Sequence, residues 1–507
     1  MIRLPDRSLR RLAIAFLLGL ASVGAFAPIA AFPLIFATLG GLCFLLARSA
    51  DEDRPQLRGA LLGSAFGLGL FLGGVSWIYV SLSNFGGMPA PVAGVATFLF
   101  CAFLSFYPAL AGALYCRLAR GPQWSRPLLF ATLWVLTEWL RGWLLTGFPW
   151  LAVGYTQTPP SPLAGFAPVG GVYGVSFVTA WIGASMAAAA AALLYRAAVG
   201  TLLPPLLVAL ALLGAGAGLR EVAWTQPTGS PLSVSLLQGN IPQEIKWRPE
   251  WFIESLRTYH QLARENPAQL TVLPETAIPA FLDQLPPGLV DELRALALRE
   301  NGELLLGIAT RHGAGYANSA LAVGASGMQR YDKSHLVPFG EFVPPGFRWF
   351  MDLARIPMSD FTPGPARQPP LRIGELKVAA NICYEDAFGE EIIGALPEAE
   401  LLVNLSNVAW FGDSLAPAQH LQIAQMRALE TGRMMLRATN TGMTAIIGAD
   451  GKVVAALRPY TRDALRGEVR GYSGLTPFAA AGNTPVVLGC VLAILALVGL
   501  GKRKTAS

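Results

Sequence analysis

Leu376-Lys-Val-Ala-Ala-Asn-Ile-Cys383-Tyr-Glu-Asp386 is a short, mostly apolar run that ends on a cysteine, with a tyrosine and two acids close behind. The pattern predicts a buried strand that delivers a thiol to a tight strand–helix turn, because such a turn exposes the sulfur while the strand holds it still. Two other stretches end in the same way. Gln269-Leu-Thr-Val-Leu-Pro-Glu275 runs into a carboxylate, and Met328-Gln-Arg-Tyr-Asp-Lys333 runs into an amine. Three strand ends carrying Glu275, Lys333 and Cys383 can meet at one sheet edge as a base, an oxyanion stabiliser and a nucleophile.

Outward from these runs, strands are expected at 231–240, 303–309, 317–325, 401–406, 443–448 and 452–457. Helices are expected at 249–265, 286–300 and 417–436. Alternating strands and helices followed by paired strands indicate one layered α/β domain.

The flanking sequence is of another kind. Charged residues make up 14% of the chain, against about 25% in soluble proteins, and the mean hydropathy is +0.46. The deficit is local: 12–47, 59–116, 142–195, 197–219 and 471–501 hold no Asp, Glu, Lys or Arg. Several of these runs exceed the roughly 20 residues that span a bilayer as a helix. Eight spans are expected, near 12–28, 30–47, 59–80, 90–116, 127–145, 170–195, 200–219 and 482–501. The domains are then a membrane part over 1–219 with about seven spans, a water-facing domain over 220–480, and a last span with a basic tail over 481–507.

Arg48, Arg54 and Arg58, then Arg117, Arg120 and Arg126, then Arg196, and finally Lys502, Arg503 and Lys504 fall in alternate connections; 81–89 and 146–165 have no Lys or Arg. By the positive-inside rule the basic connections are cytoplasmic. The 220–480 domain then faces the opposite side, which is the periplasm in a bacterium with two membranes. The net charge of +6 is explained by these loops and does not point to nucleic acid. Within the fifth span, Glu138 and Arg141 read as a functional pair or as a mutually neutralised one. The Gly183–Ala192 stretch of small residues reads as close helix packing.

Of the five cysteines, Cys43, Cys101, Cys116 and Cys490 lie in expected spans, so the water-facing domain holds Cys383 alone and no internal disulfide. His335 and His420 offer a Cys–His alternative, a weaker one with a carboxylate base at hand. No metal-ligand spacing and no glycine-rich phosphate loop is present, so neither metal nor cofactor is expected. Phe347, Trp349 and Phe350, with Met351 and Leu353, lie in a Pro/Gly-flanked loop and read as an apolar lid. Phe148-Pro-Trp150 is its candidate partner in the 146–165 connection.

Leu-Pro-Glu275-Thr-Ala, Tyr-Asp-Lys333-Ser-His-Leu-Val-Pro-Phe-Gly-Glu341 and Asn-Ile-Cys383-Tyr-Glu385 resemble the three motifs of the nitrilase, or carbon–nitrogen hydrolase, superfamily. The spans on both sides narrow this further, as do Gln238-Gly-Asn-Ile-Pro-Gln-Glu-Ile-Lys-Trp247 and the block from Trp410-Phe-Gly to Arg437-Ala-Thr-Asn440. The whole chain resembles the bacterial apolipoprotein N-acyltransferase family, most strongly over 230–450. One departure is Val408, where that family's pattern has an aspartate.

The resemblance implies a multi-pass helical membrane domain plus a nitrilase-like α/β domain of α-β-β-α layers. It implies catalytic Glu275, Lys333 and Cys383, with supporting roles for Trp247, Glu341, Tyr384 and Glu385. It further implies a monomer in the bacterial inner membrane that moves an acyl chain from a glycerophospholipid, through a Cys383 thioester, to a diacylated apolipoprotein. The acceptor is the α-amine of that protein's lipid-modified N-terminal cysteine. The residues alone leave two other readings: a membrane-anchored amidase that passes its acyl group to water, and a non-enzymatic lipid- or lipoprotein-binding protein.

Overall fold

In the computed structural model, which describes residues 6–196, 199–246, 248–313, 315–344, 346 and 360–506, Leu376–Ile382 is a strand buried on both faces. Leu376, Val378, Ala380 and Ile382 enter one apolar core and Ala379 another. That double burial is why the run reads as continuously apolar.

Two six-stranded sheets are built from β1 (Gln226–Gln238), β2 (Leu270–Val272), β3 (Glu303–His312), β4 (Gly315–Gly324), β5 (Gly327–Asp332) and β6 (Leu371–Ile373), followed by β7 (Leu376–Ile382), β8 (Leu401–Ser406), β9 (Met435–Thr439), β10 (Ala445–Ile447), β11 (Val453–Ala456) and β12 (Asp463–Ser473). The strand orders are β12-β1-β2-β3-β4-β5 and β11-β10-β9-β8-β7-β6. In the first sheet β1, β2 and β3 run parallel; in the second β7, β8 and β9 do; the outer strands are antiparallel.

Val234, Leu236, Val272 and Leu305 of the first sheet share a core with Val378, Ile382, Val403, Leu405 and Leu436 of the second. Each such side chain contributes about 1.5–3 kcal/mol by leaving water. The opposite face of the first sheet is covered by the helices Pro249–Glu265 and Leu289–Leu298, and that of the second by Ala416–Thr431. The layers are therefore α-β-β-α.

Some elements differ from expectation. The helix expected over 417–436 stops at Thr431, because Gly432 takes a left-handed φ of 61°. Glycine in that conformation ends helices, and the chain re-enters the sheet as β9. The strand β12 was not expected; Arg466, Glu468 and Arg470 are exposed while Leu465 and Val469 are buried. Its period-two pattern is masked by the charges on its solvent face.

The chain divides into two compact units. One comprises Met1–Ser76, Gly94–Val222 and Ala481–Ser507, and the other Trp77–Ala93 and Ala223–Ala480. The first holds the helices Asp6–Ser22, Leu34–Ser49, Pro55–Gly74, Ala90–Leu118 (but for its first turn), Arg126–Arg141, Ala167–Leu194, Val199–Leu219 and Thr484–Ala506. Among the described residues, four stretches are long and apolar enough to cross a membrane: Ser8–Ala25, Pro55–Gly74, Ala90–Leu118 and Pro162–Leu194. The apolar helices Leu34–Ser49, Leu203–Leu219 and Thr484–Gly499 are shorter.

Small residues let these helices approach closely. A Cβ added at Gly40 would lie 2.6 Å from the carbonyl oxygen of Gly183. Glu138 and Arg141 are both buried, and each holds the 148–153 connection. Arg141 donates to the carbonyls of Phe148 (2.6 Å) and Trp150 (2.5 Å), while Glu138 accepts from Trp134 Nε1 (3.0 Å) and the Val153 N–H (2.9 Å). Trp150 is 1% exposed, part of this unit's interior.

The helix Pro55–Gly74 ends before the expected boundary near 80, and Trp77–Val80 is a separate short helix of the second unit. Trp77 is buried there. Its indole donates to Gln419 Oε1 (3.3 Å) and meets the Phe411 ring edge-on at 4.7 Å.

Candidate active site

Past β2 the chain stays tied to β3: the Leu273 N–H donates to Leu305 O (2.8 Å) and the Gly307 N–H to Pro274 O (3.2 Å). The next residue, Glu275, is buried. Its Oε1 accepts from the Asn318 side chain of β4 (2.7 Å), and its Oε2 from the Asn407 main-chain N–H beyond β8 (2.8 Å). Burial pushes this carboxyl up, but Lys333, the Asn318 amide, the Asn407 N–H and Lys246 together hold it below its ordinary value.

Lys333 is the first residue after β5. Its N–H donates to Asn318 O (2.8 Å), and its carbonyl accepts from the Gly364 N–H (2.8 Å). The fully buried Nζ lies 2.8 Å from Glu341 Oε1 and 3.5 Å from Glu275 Oε1. Burial works against this ammonium, yet Glu341, Glu275 and Cys383 outweigh it and raise its pKa above the ordinary lysine value. Glu341 is itself fixed by Asn318 Nδ2 (3.0 Å) and the Val337 N–H (2.8 Å). Asn318 thus bridges the two carboxylates that flank the lysine.

Cys383 follows β7 with a φ of 53°, a left-handed conformation that costs a residue with a side chain about 1–3 kcal/mol. The next residues hold it: Cys383–Ala387 is a single 3₁₀ turn, and the Ile382 N–H donates to Glu385 Oε2 (2.7 Å). Asn404 Nδ2 donates to the Cys383 carbonyl at 3.1 Å, and His420 Nε2 lies 3.3 Å from the same oxygen. Burial raises the thiol's pKa, Glu275 and Glu341 add to the effect, and Lys333 and Arg437 oppose it. At rest the site is therefore a protonated thiol beside an ionised carboxylate and a fixed ammonium. That combination can hand a proton from sulfur to carboxylate as the sulfur attacks, with the ammonium placed to meet negative charge.

Glu385 ties two of these loops together. Besides Ile382, it accepts from the Ser334 N–H (2.7 Å), the Ser334 hydroxyl (2.9 Å), the His335 N–H (3.1 Å) and the Tyr331 hydroxyl (3.0 Å). Tyr384 is buried and lies edge-on to the rings of His335 and Phe388. His335 stacks on Phe388 and pairs with Glu391, and His420 pairs with Asp386. Val408 is buried in the turn Val408–Phe411. Trp247, Phe347, Trp349, Phe350, Met351 and Leu353 lie outside the described residues. Among the described residues, no group of three or more His, Cys, Asp or Glu is arranged to hold a metal ion.

The apolipoprotein N-acyltransferase N-terminal domain model matches residues 18–185, and the carbon–nitrogen hydrolase model matches 233–473. The apolipoprotein N-acyltransferase of Nitrosomonas europaea is 46% identical, over 98% of this chain and 99% of that one. The enzyme of the same name from Chromobacterium violaceum is 47% identical, over 99% of this chain and 96% of its own. The chain belongs to the apolipoprotein N-acyltransferase family. It is thus an acyltransferase of lipoprotein maturation within the carbon–nitrogen hydrolase superfamily, built on a membrane helical domain.

Relative to the sequence reading, this family member's site gains Asn318, Asn407 and Lys246. A buried polar side chain in a mostly apolar strand, as Asn318 is in β4, signals a required hydrogen bond. Asn407 acts through its main chain, which no side-chain pattern reveals.

Proposed function

We propose that this chain N-acylates the α-amine of the diacylglyceryl-modified N-terminal cysteine of apolipoproteins, with a glycerophospholipid as acyl donor. Cys383 Sγ attacks the ester carbonyl while Glu275 takes the thiol proton. Lys333, with a main-chain N–H after Cys383, meets the tetrahedral oxyanion. The C–O bond then breaks, Glu275 returns the proton to the leaving alcohol oxygen, and a lysophospholipid departs from the thioester. In the second half the free α-amine attacks the thioester, Glu275 accepts the amine proton, the C–S bond breaks, and the proton returns to sulfur. Splitting the transfer in two gives each step an easier barrier.

The observation that carries this reading is the resting charge arrangement. A buried thiol that does not ionise alone sits with a carboxylate kept ionised by four neighbours and an ammonium kept charged by two carboxylates. The helical unit accounts for substrates that are both lipid-anchored, and the charge-free connections favour a periplasmic catalytic domain on the inner membrane.

The test is the intact mass of the purified protein after exposure to phospholipid. The expected result is one added acyl chain on Cys383, released as N-acylated product by a lipid-modified cysteinyl peptide. Cys383→Ala should give no adduct, and Cys383→Ser nearly none, because a carboxylate is a weak base for a serine hydroxyl. Free fatty acid as the sole product, with the peptide ignored, would replace this reading with that of an amidase-like hydrolase.

A further inference from the structure

Lys246 transfers no proton in the steps above, yet it is 2% exposed. Its Nζ donates to Thr276 Oγ1 at 2.8 Å and to the main-chain carbonyl of Glu275 at 3.3 Å. Both partners are neutral oxygens, whereas Lys333 sits between two carboxylates. Burying an amine in this way is costly, and a packing role would be met by leucine or methionine. The two residues it grips are the base and its successor, and Thr276 has a φ of 47°. A non-glycine residue in that region persists where its surroundings hold it.

We propose that Lys246 is a positioning residue for the base: it clamps the Glu275–Thr276 turn, and its charge favours the Glu275 carboxylate. This rests on the reading of Glu275 as the base. The groups bearing on Lys246 are the Glu275 carboxylate and the Thr276 hydroxyl; those bearing on Glu275 are Lys333, Lys246, Arg437, Asn318 and the Asn407 N–H, with the Cys383 thiol and Glu341 beside it. Burial brings Lys246 down to about 8, against the upward pull of Glu275. The signs follow. Protonated Lys246 lowers the Glu275 pKa, so removing the amine raises it and moves the acid limb of the acylation profile to higher pH. Deprotonation of Lys246 itself changes the slope of that profile near pH 8.

The experiment uses full-length protein in detergent with phosphatidylethanolamine mixed micelles, following thioester mass against time across pH. Wild type, Lys246→Met, Lys246→Arg and Glu275→Gln are compared, with thermal denaturation as the folding control. Lys246→Met should acylate about 10- to 100-fold more slowly, with its acid limb displaced upward. Lys246→Arg keeps a cation at all working pH, so its acid limb should stay low and the inflection near pH 8 should vanish. A Lys246→Met profile with the wild-type acid limb, at any rate, would make the residue mere packing. If Lys246→Met does not fold, persistence of the inflection in Lys246→Arg overturns the proposal alone. Wild-type acylation by Glu275→Gln would instead overturn the base assignment.

Discussion

A Cβ added at Gly307 on β3 would lie 2.5 Å from the Cα of Glu275 and 2.7 Å from the Pro274 carbonyl oxygen, so the strand passes directly behind the turn that presents Glu275, the proposed base. The obstacle is main chain on both counts, and it cannot swing aside as a flexible side chain would. Gly307→Ala should therefore push the carboxylate off Asn318 and Lys333. The expectation is a 10- to 100-fold loss of acylation rate, as for a misplacement of about 1 Å, with a stability loss of about 1–3 kcal/mol. Thioester kinetics alongside chemical denaturation check this, and an unchanged rate would show that the turn relaxes freely. The same residue scale explains what the sequence could reveal. Glu275, Lys333 and Cys383 are legible because each is a polar residue at the end of an apolar run. Asn318, Asn407 and Lys246 reach Glu275 from 43, 132 and 29 residues away, and nothing local marks those meetings.

Among the elements, the turn Cys383–Ala387 is held from beneath by a buried ion cluster. Asp386 pairs with Arg437 of β9 at 2.9 Å and with His420 of the helix Ala416–Thr431 at 2.6 Å. Arg437 also donates to Asn404 of β8 (2.9 Å), whose amide donates to the Cys383 carbonyl. Two strands, one helix and the Cys383 turn thus share a single polar core. Asp386→Asn would leave the buried Arg437 cation without its counter-charge, which costs about 3–5 kcal/mol. The denaturation midpoint should fall accordingly, and thioester formation with it. A variant of wild-type stability would mean that the cluster is redundant. At this scale the sequence was legible where apolar periodicity was clean, as in β7, β8 and the helix Pro249–Glu265. It was misleading where a helix-like pattern crossed Gly432 into β9, and silent where charges covered one face of β12. In both cases pairing with a distant strand decided the conformation, and local propensity did not.

For the whole molecule, two independent features bear on which side of the membrane the catalytic unit occupies. The basic residues fall in alternate connections, and the positive-inside rule assigns those connections to the cytoplasm. The second feature is a packing observation within the catalytic unit. Trp77–Ala93, the connection that follows the helix Pro55–Gly74, belongs to the same compact unit as Ala223–Ala480. Within that unit Ser81 Oγ donates to Trp410 O at 2.8 Å, and Phe85 meets the Trp410 ring edge-on at 6.2 Å. A connection integrated in this way must lie on the same side as the domain it completes, and 81–89 contains no Lys or Arg. Both arguments support the proposal that the catalytic unit lies opposite the arginine-rich loops. Reporter fusions in the basic connections, at about residues 55 and 122, should signal cytoplasm, and fusions at about 84 and 300 should signal the far side. Agreement between 84 and 300 with both cytoplasmic would reverse the orientation while keeping the unit intact. Opposite signals from 84 and 300 would break the unit itself, because Trp77 and Ser81 could not then reach Gln419 and Trp410.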